Sequence, residues 1–292
     1  MKIGVIDIGS NTIKLDIFQV NGSDITNISA ESIRGALAKY TMDGFLNDEG
    51  YSVLKKILLK FTVDAKQAGC DKTLVFATQS LRGISNADRV CEDIRAQLGV
   101  DIDIISGTQE AQCSFFALCD CISDEDSGIM ADMGGGSLEL VDFENKTSAF
   151  MCSLPLGALK VRETLNCSVV PDREQTSGIE EYARSFFDNV QIKKHDAIYI
   201  IGGTARAMFS AVFNGKEEIG VDESFVAYEK MSFDAEETEK RLYSLIPKRA
   251  DSFMTGFAIF NAAAKYFNCK KIVLCKKGVR DGYLKMKLKD EE

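Results

Sequence analysis

Ile3-Gly4-Val5-Ile6-Asp7-Ile8-Gly9-Ser10-Asn11-Thr12 and, further along, Ile129-Met130-Ala131-Asp132-Met133-Gly134-Gly135-Gly136-Ser137 share one order of parts: an apolar run, an aspartate, a glycine-containing turn and the start of a second strand. The two aspartates are 132 − 7 = 125 positions apart. Moving Ala77-Thr78-Gln79 by the same distance lands on Gly202-Gly203-Thr204, again just after an apolar run. Two separate segments agree on one offset, which is the mark of an internal repeat. The chain is therefore read as a duplicated domain, one copy over residues 1–120 and the other over 121–292, with a last helix able to pack back on the first copy.

Within each copy strands come first and helices follow. Residues 2–8 and 12–20 predict strands, 52–68 carry apolar residues at helical spacing, 73–77 predict a buried strand and 86–98 a helix. In the second copy 128–133, 138–143 and 148–154 predict a meander, 174–187 a helix, 197–201 a buried strand and 205–212 a helix. The tail reads as a helix over 252–267, a strand over 271–275 and a last element over 278–285. Only three prolines occur, at 155, 171 and 247, and no flexible tract separates the copies. The expectation is two tightly packed α/β domains with helices on their sheets, sharing a cleft.

The bulk composition narrows the function. With 292 residues, 45% of them hydrophobic, the chain can fill two ordinary cores. No apolar run approaches the roughly 18 residues of a membrane span, and Met1-Lys2 lead directly into a strand, so the expectation is a cytoplasmic protein without membrane contact. The nine cysteines are scattered and form no paired CxxC framework, which predicts reduced thiols. Cys119-Asp120-Cys121 is the one close spacing, and it lacks the second pair and the histidines of a zinc site. A net charge of −9 and a pI near 4.9 disfavour a general nucleic-acid surface. An anionic substrate must then be held locally, by backbone amides and a few cations, with a divalent ion to screen the rest.

The two turns supply such a place. A glycine-rich turn between strands exposes N–H groups that no side chain shields. Gly9, Ser10, Asn11 and Thr12 form one candidate phosphate loop, and Gly134, Gly135, Gly136 and Ser137 the other. Neither is closed by Gly-Lys-Ser or Gly-Lys-Thr, and neither opens a dinucleotide-binding unit. Gly202-Gly203-Thr204 follows a strand and opens a helix, where anions bind well. His195 is the single histidine. In the polar run Lys193-Lys194-His195-Asp196 it gives little support to a Ser-His-Asp relay.

These segments resemble the exopolyphosphatase and guanosine pentaphosphate phosphohydrolase family in its short, two-domain form. The likeness runs in order through Ile6 to Thr12, Ala77-Thr78-Gln79-Ser80-Leu81-Arg82, Ile104 to Ala111, Asp132 to Leu140, Ser153 to Ala158, Ile201 to Ala205 and Arg249-Ala250-Asp251. The resemblance implies two duplicated ribonuclease H-like domains, of the actin, sugar-kinase and heat-shock superfold, with an interdomain cleft. It implies removal of terminal phosphates from polyphosphate, or of the 5′ terminal phosphate from guanosine pentaphosphate, with Mg2+. Glu110 corresponds to the family's catalytic glutamate, a role that suits a carboxylate deprotonating the attacking water. Asp7, Asp132 and Glu139 are the candidate metal ligands, and Asp132 is also placed with Glu110 in the catalytic centre. Which of Asp7 and Asp132 holds the ion is open, and a structural hydrogen bond is the competing role for Glu139. Thr78 and Arg82 join the loops as phosphate contacts, Arg82 as a guanidinium clamp. Arg280, in Gly278-Val279-Arg280-Asp281-Gly282, matches a late family segment in which structural and substrate roles compete.

The chain departs from the family pattern at Gln109, in place of a glutamate, and at Gln112, in place of an arginine. Both changes alter the charge beside Glu110. Longer relatives continue into a further helical region, so short polyphosphate, or a nucleotide, is the expected substrate. Two other classes remain: a non-catalytic sensor of polyphosphate or of a guanosine tetraphosphate-type alarmone, and a kinase or ATPase of the same superfold. A homodimer is an expectation from the resemblance alone.

Overall fold

The computed structural model describes residues 1–22 and 24–290. The chain forms two compact units, one of Met1–Gln109 joined by the chain from Met286 onward, the other of Glu110–Lys285.

In the first unit the strands are β1 (Lys2–Ile8), β2 (Thr12–Asn21), β3 (Asp24–Arg34), β4 (Thr41–Met42), β5 (Phe45–Leu46), β6 (Lys72–Ala77) and β7 (Asp103–Ile104). Its helices are α1 (Asp48–Gln67), α2 (Gln79–Arg82) and α3 (Ala87–Leu98), and α4 (Gly107–Leu118) carries the chain into the second unit. The second unit holds β8 (Ser127–Met133), β9 (Leu138–Glu144), β10 (Thr147–Leu154), β11 (Ala197–Gly202), β12 (Glu218–Gly220) and β13 (Lys271–Leu274). Around them lie α5 (Ala158–Thr164), α6 (Arg173–Phe187), α7 (Gly203–Ala211), α8 (Val221–Phe233), α9 (Ala235–Leu245), α10 (Ala250–Tyr266) and α11 (Val279–Lys289), which leads back to the first unit.

The main sheets repeat one topology. The first is ordered β3-β2-β1-β6-β7, the second β10-β9-β8-β11-β13-β12. In each, an antiparallel meander continues through its first strand into parallel pairing, β1 with β6 and β8 with β11. The register repeats as well: Gly4 faces Thr73 and Ile8 faces Ala77, while Ile129 faces Ile198 and Met133 faces Gly202. Each residue of the second set lies 125 positions after its counterpart in the first, so the offset read from the sequence holds to the residue. The duplicated α/β fold expected from the sequence is the fold observed.

Burial explains why these segments read so clearly. β1 and β8 lie mid-sheet and are buried on both faces after their first residue or two, which calls for continuous apolar runs. α1 presents Leu54, Ile57, Leu58, Phe61 and Ala65 along one buried stripe, and the Asn47 side chain caps it by accepting from the Gly50 N–H. α10 is buried from Phe253 to Ala264 and runs through the core of the second unit, where Phe253, Phe257 and Phe260 are fully enclosed. At Gly256 a Cβ would stand 2.8 Å from Thr204, 3.0 Å from Ala158 and 3.2 Å from Met133. Glycine there lets one helix back the end of β8 and the starts of α5 and α7 together. Among the described residues no helix is long and apolar enough to cross a membrane.

Candidate active site

In an open α/β sheet, ligands gather beyond the carboxyl ends of the parallel strands. In the second unit those ends are Asp132-Met133 of β8 and Ile201-Gly202 of β11, paired in register. Asp132 also faces Glu139 across the β8–β9 ladder, and Glu139 faces Ser153 on β10. Directly paired residues project to the same side of a sheet, so one row carries two carboxylates and a hydroxyl. All three groups have partners: Ser114 Oγ of α4 donates to Asp132 Oδ2 at 2.5 Å, and Ser153 Oγ donates to Glu139 Oε1 at 2.8 Å.

Glu139 is 1% exposed, and its titration shows what this enclosure costs. Burial first, then the neighbouring Glu110 and Asp132 carboxylates, push its pKa well above the ordinary carboxylate range, against hydrogen bonds from Ser153 and Ser137. Glu110, in the first turn of α4, is therefore close enough to act on the pair, and it too is buried. The structure thus brings Glu110, Asp132, Ser137 and Glu139 together within one unit. Among the described residues no three acidic, histidine or cysteine side chains converge as a ready-made cation cage. The donor chemistry nevertheless fits magnesium, which is held by one or two carboxylates together with water and phosphate oxygens. Two carboxylates facing each other are also an environment that a cation relieves.

The loop from Gly134 to Ser137 is closed by the Gly134 N–H donating to Ser137 O at 3.0 Å. The equivalent bond in the first unit runs from the Gly9 N–H to Thr12 O at 3.2 Å. Carbonyls of Gly134 and Gly135 accept from the first amides of α5, those of Ala158, Leu159 and Lys160. That docking demands Gly157, where a Cβ would stand 2.2 Å from the Gly136 backbone. Gly134 is exposed and Gly135 half-buried, so the turn is anchored from beneath while its rim meets solvent.

Beside it, Gly202 opens α7 at φ 104°, a conformation natural to glycine, and a Cβ there would lie 2.5 Å from Met133 O. Over the next residue lies the guanidinium of Arg249: a Cβ on Gly203 would meet its Nη2 at 1.8 Å. Burial and the nearby Arg206 and Arg280 depress the Arg249 pKa to about 10. Three arginines gather positive charge around the N-terminus of α7, an arrangement whose chemistry suits an anion. In the sequence Arg249 belongs to a segment that carries the family resemblance and has no role assigned by it. The signal was present in Lys248-Arg249-Ala250-Asp251, at the start of the buried helix α10.

The remaining predicted phosphate and metal residues belong to the first unit and are described there alone. Asp7, at the end of β1, forms an ion pair with Lys14 Nζ at 3.6 Å. Asn11 Oδ1 accepts from Arg34 Nε at 3.4 Å, and the carbonyls of Ser10 and Asn11 accept from the Ala38 and Ala36 amides. Thr78 precedes α2 and is buried, and Arg82 Nη1 donates to Ile105 O at 3.0 Å. Gln109 has a structural role: its Oε1 accepts from the Ser106 N–H at 2.8 Å while its own N–H donates to Ser106 Oγ at 3.1 Å. This is a capping box, which glutamine closes as well as glutamate does. His195 is also structural, its Nε2 2.8 Å from Asp142 Oδ1 in a buried pair.

The model of the Ppx/GppA phosphatase family matches residues 17–291. The chain belongs to the Ppx/GppA phosphatase family. Among its relatives is exopolyphosphatase 1 of Mycobacterium leprae, 23% identical over 309 residues that cover 100% of this chain and 91% of that protein. Exopolyphosphatase 1 of Mycobacterium bovis is 30% identical over 161 residues, 54% of this chain and 47% of that protein. A Ppx/GppA family member from Aquifex aeolicus superimposes with a TM-score of 0.85 at 22% identity, covering 100% of this chain and 99% of the other. An exopolyphosphatase structure from Cytophaga hutchinsonii also gives 0.85, at 17% identity over 99% and 98%. At such identities the structures establish the shared fold. Family membership bears out the expectation of a phosphoanhydride hydrolase.

Proposed function

We propose that this Ppx/GppA protein is a magnesium-dependent exopolyphosphatase that hydrolyses the terminal phosphoanhydride of short linear polyphosphate. One observation carries the reading: within a single unit, the Asp132 and Glu139 carboxylates pair at the end of the strand whose glycine loop meets solvent, with Glu110 near enough to push the Glu139 pKa up. Glu110 accepts a proton from water as its oxygen attacks the terminal phosphorus, and the bond to the next phosphate oxygen breaks. General-base assistance of this kind is worth roughly 10²–10⁴ in rate. Phosphate oxygens lie against the amides of Gly135, Gly136 and Ser137, beside Gly134, whose own N–H closes the turn, and at Gly202, Gly203 and Thr204, with Arg249 offsetting charge. The loop of Gly9, Ser10, Asn11 and Thr12, with Thr78 and Arg82, serves phosphate in the same way. Magnesium, held by Asp132 and Glu139, supplies charge screening when bound. In the first unit Lys14 already balances Asp7, which favours the second unit for the ion.

Guanosine pentaphosphate presents the same terminal bond and is the alternative substrate. A silent sensor is disfavoured by Gln109, whose replacement of glutamate preserves the helix cap. The proposal includes a cytoplasmic setting and a homodimer, tested by fractionation and light scattering. The deciding assay is phosphate release from tripolyphosphate, long-chain polyphosphate and guanosine pentaphosphate, with and without magnesium, by wild type and Glu110→Gln. Release that is fastest on tripolyphosphate and falls at least about 100-fold in the variant supports the reading. Tight binding with no release from any of the three overturns it in favour of a sensor.

A further inference from the structure

Cys121 lies exposed just beyond α4, and Cys275 lies buried just beyond β13. They are 154 positions apart in the chain, yet their Sγ atoms are 3.5 Å apart, with the Cys275 thiol donating to Cys121 Sγ. The surroundings hold them there. Asp120 forms ion pairs with Lys277 Nζ, at 2.7 Å, and with Lys285 Nζ, clipping the segment after α4 to the segment after β13. Cys275 Sγ also lies 3.6 Å from Lys277 O.

The two thiols differ in the way a reactive pair requires. The hydrogen bond from Cys275, aided by Lys277 and opposed by burial and by Asp120, brings the Cys121 pKa down to about 7. A sizeable share of Cys121 is then thiolate near neutral pH, and it faces solvent. Cys275 is pushed far upward by its bond to Cys121 and by burial. Cys70, Cys91, Cys152 and Cys269 are all raised by burial, and among the described residues none of them has such a thiol partner.

We propose that Cys121 and Cys275 are an oxidisable dithiol that hydrogen peroxide converts to a reversible intramolecular disulfide. The Cys121 thiolate attacks one peroxide oxygen, forming an S–O bond as the O–O bond breaks, and the departing hydroxide takes up a proton to leave as water. The Cys275 sulfur then attacks Cys121 Sγ, the S–S bond forms, and the sulfenic oxygen leaves as a second water with the Cys275 proton. Two thiols and one peroxide yield one disulfide and two waters. Closing 3.5 Å to bonding distance needs a turn of two side chains, and the exposed position of Cys121 leaves room for it. The crosslink ties the chain after the helix that carries Glu110 to the chain before the helix that carries Arg280.

The test is peptide mapping of the reduced full-length protein after peroxide treatment and thiol blocking, for wild type, Cys121→Ser and Cys275→Ser. The expected result is a Cys121–Cys275 linked peptide that dithiothreitol removes and Cys121→Ser lacks. In Cys275→Ser a dimedone-trappable sulfenic acid should accumulate on Cys121. If Cys275→Ser does not fold, wild type and Cys121→Ser still decide, together with iodoacetamide alkylation of Cys121, expected to be about tenfold or more faster than that of Cys70 at pH 7. A Cys119–Cys121 bond in place of the predicted one, over-oxidation of Cys121 without a crosslink, or alkylation no faster than at Cys70 overturns the proposal.

Discussion

Lys14 and Glu139 occupy equivalent places in the two copies, each facing the aspartate that ends the leading strand. In the first copy the pairing is of opposite charges at 3.6 Å; in the second, two acids face each other. One residue type therefore separates a self-balanced copy from one that needs a proton or a cation. The raised pKa of Glu139 has a definite sign. An unfolded chain releases this proton near the ordinary value of 4.5 while the folded protein retains it, so stability falls as pH rises from there toward the raised folded value. Glu139→Gln removes the loss and keeps an acceptor for Ser153. Its Tm in metal-free buffer is expected to exceed that of wild type at pH 8, with the difference vanishing below pH 4; parallel melting curves at all pH values would refute the assignment. Arg249 carries the converse prediction. Arg249→Met removes a half-buried cation whose neighbours include Arg206 and Arg280, so the fold is expected to be kept or strengthened. The loss of a charge-assisted phosphate contact, worth roughly 1.5–3 kcal/mol, raises KM about tenfold to a hundredfold. An unchanged KM with a lowered Tm would make Arg249 a purely structural residue.

At the scale of elements, glycines show where two segments approach and what each approach serves. A Cβ at Gly203 meets the flexible end of Arg249, which can swing aside, whereas a Cβ at Gly282 of α11 meets the Cys113 backbone oxygen of α4 at 1.6 Å, which cannot. Gly203→Ala is thus expected to leave Tm nearly unchanged while raising KM. Gly282→Ala is expected to cost about 1–3 kcal/mol, roughly 2–4 °C per kcal/mol, by separating two helices of the second unit. Parallel melting and steady-state kinetics of the two variants check both expectations, and a reversed pattern would disprove the division. The same contrast explains what was legible beforehand. β1, β8 and β11 announce themselves because burial on both faces demands apolar runs, and the repeat could be read because each run ends at the same kind of turn. β3 went unread: an exposed strand at the sheet edge, Asp24–Arg34, has no buried face to impose alternation. The loops were visible as local motifs, and Glu110 only through the family resemblance. The partnership of Arg249 with Gly203 was not, because it joins residues distant in sequence through packing alone. The Lys14–Glu139 exchange needed only that the repeat be followed seven residues past each aspartate.

On the scale of the whole molecule, a chain of net charge −9 acting on a polyanion sets a long-range repulsion against a short-range attraction. The repulsion is carried by exposed charges and is screened within about 8–10 Å at physiological salt. In the proposed site the attraction comes from half-buried arginines and loop amides, which salt reaches less. A protein that grips phosphates with a basic surface loses about 10³–10⁵ in affinity between 50 and 200 mM salt. This one should behave otherwise: at constant free magnesium, kcat/KM for tripolyphosphate is expected to change by less than about tenfold over that range, because weaker repulsion offsets weaker attraction. Steady-state rates across a potassium chloride series measure it directly. A steep, nucleic-acid-like fall would place binding on an extended basic track and displace the local corner around Gly203 and Arg249 as the principal phosphate grip.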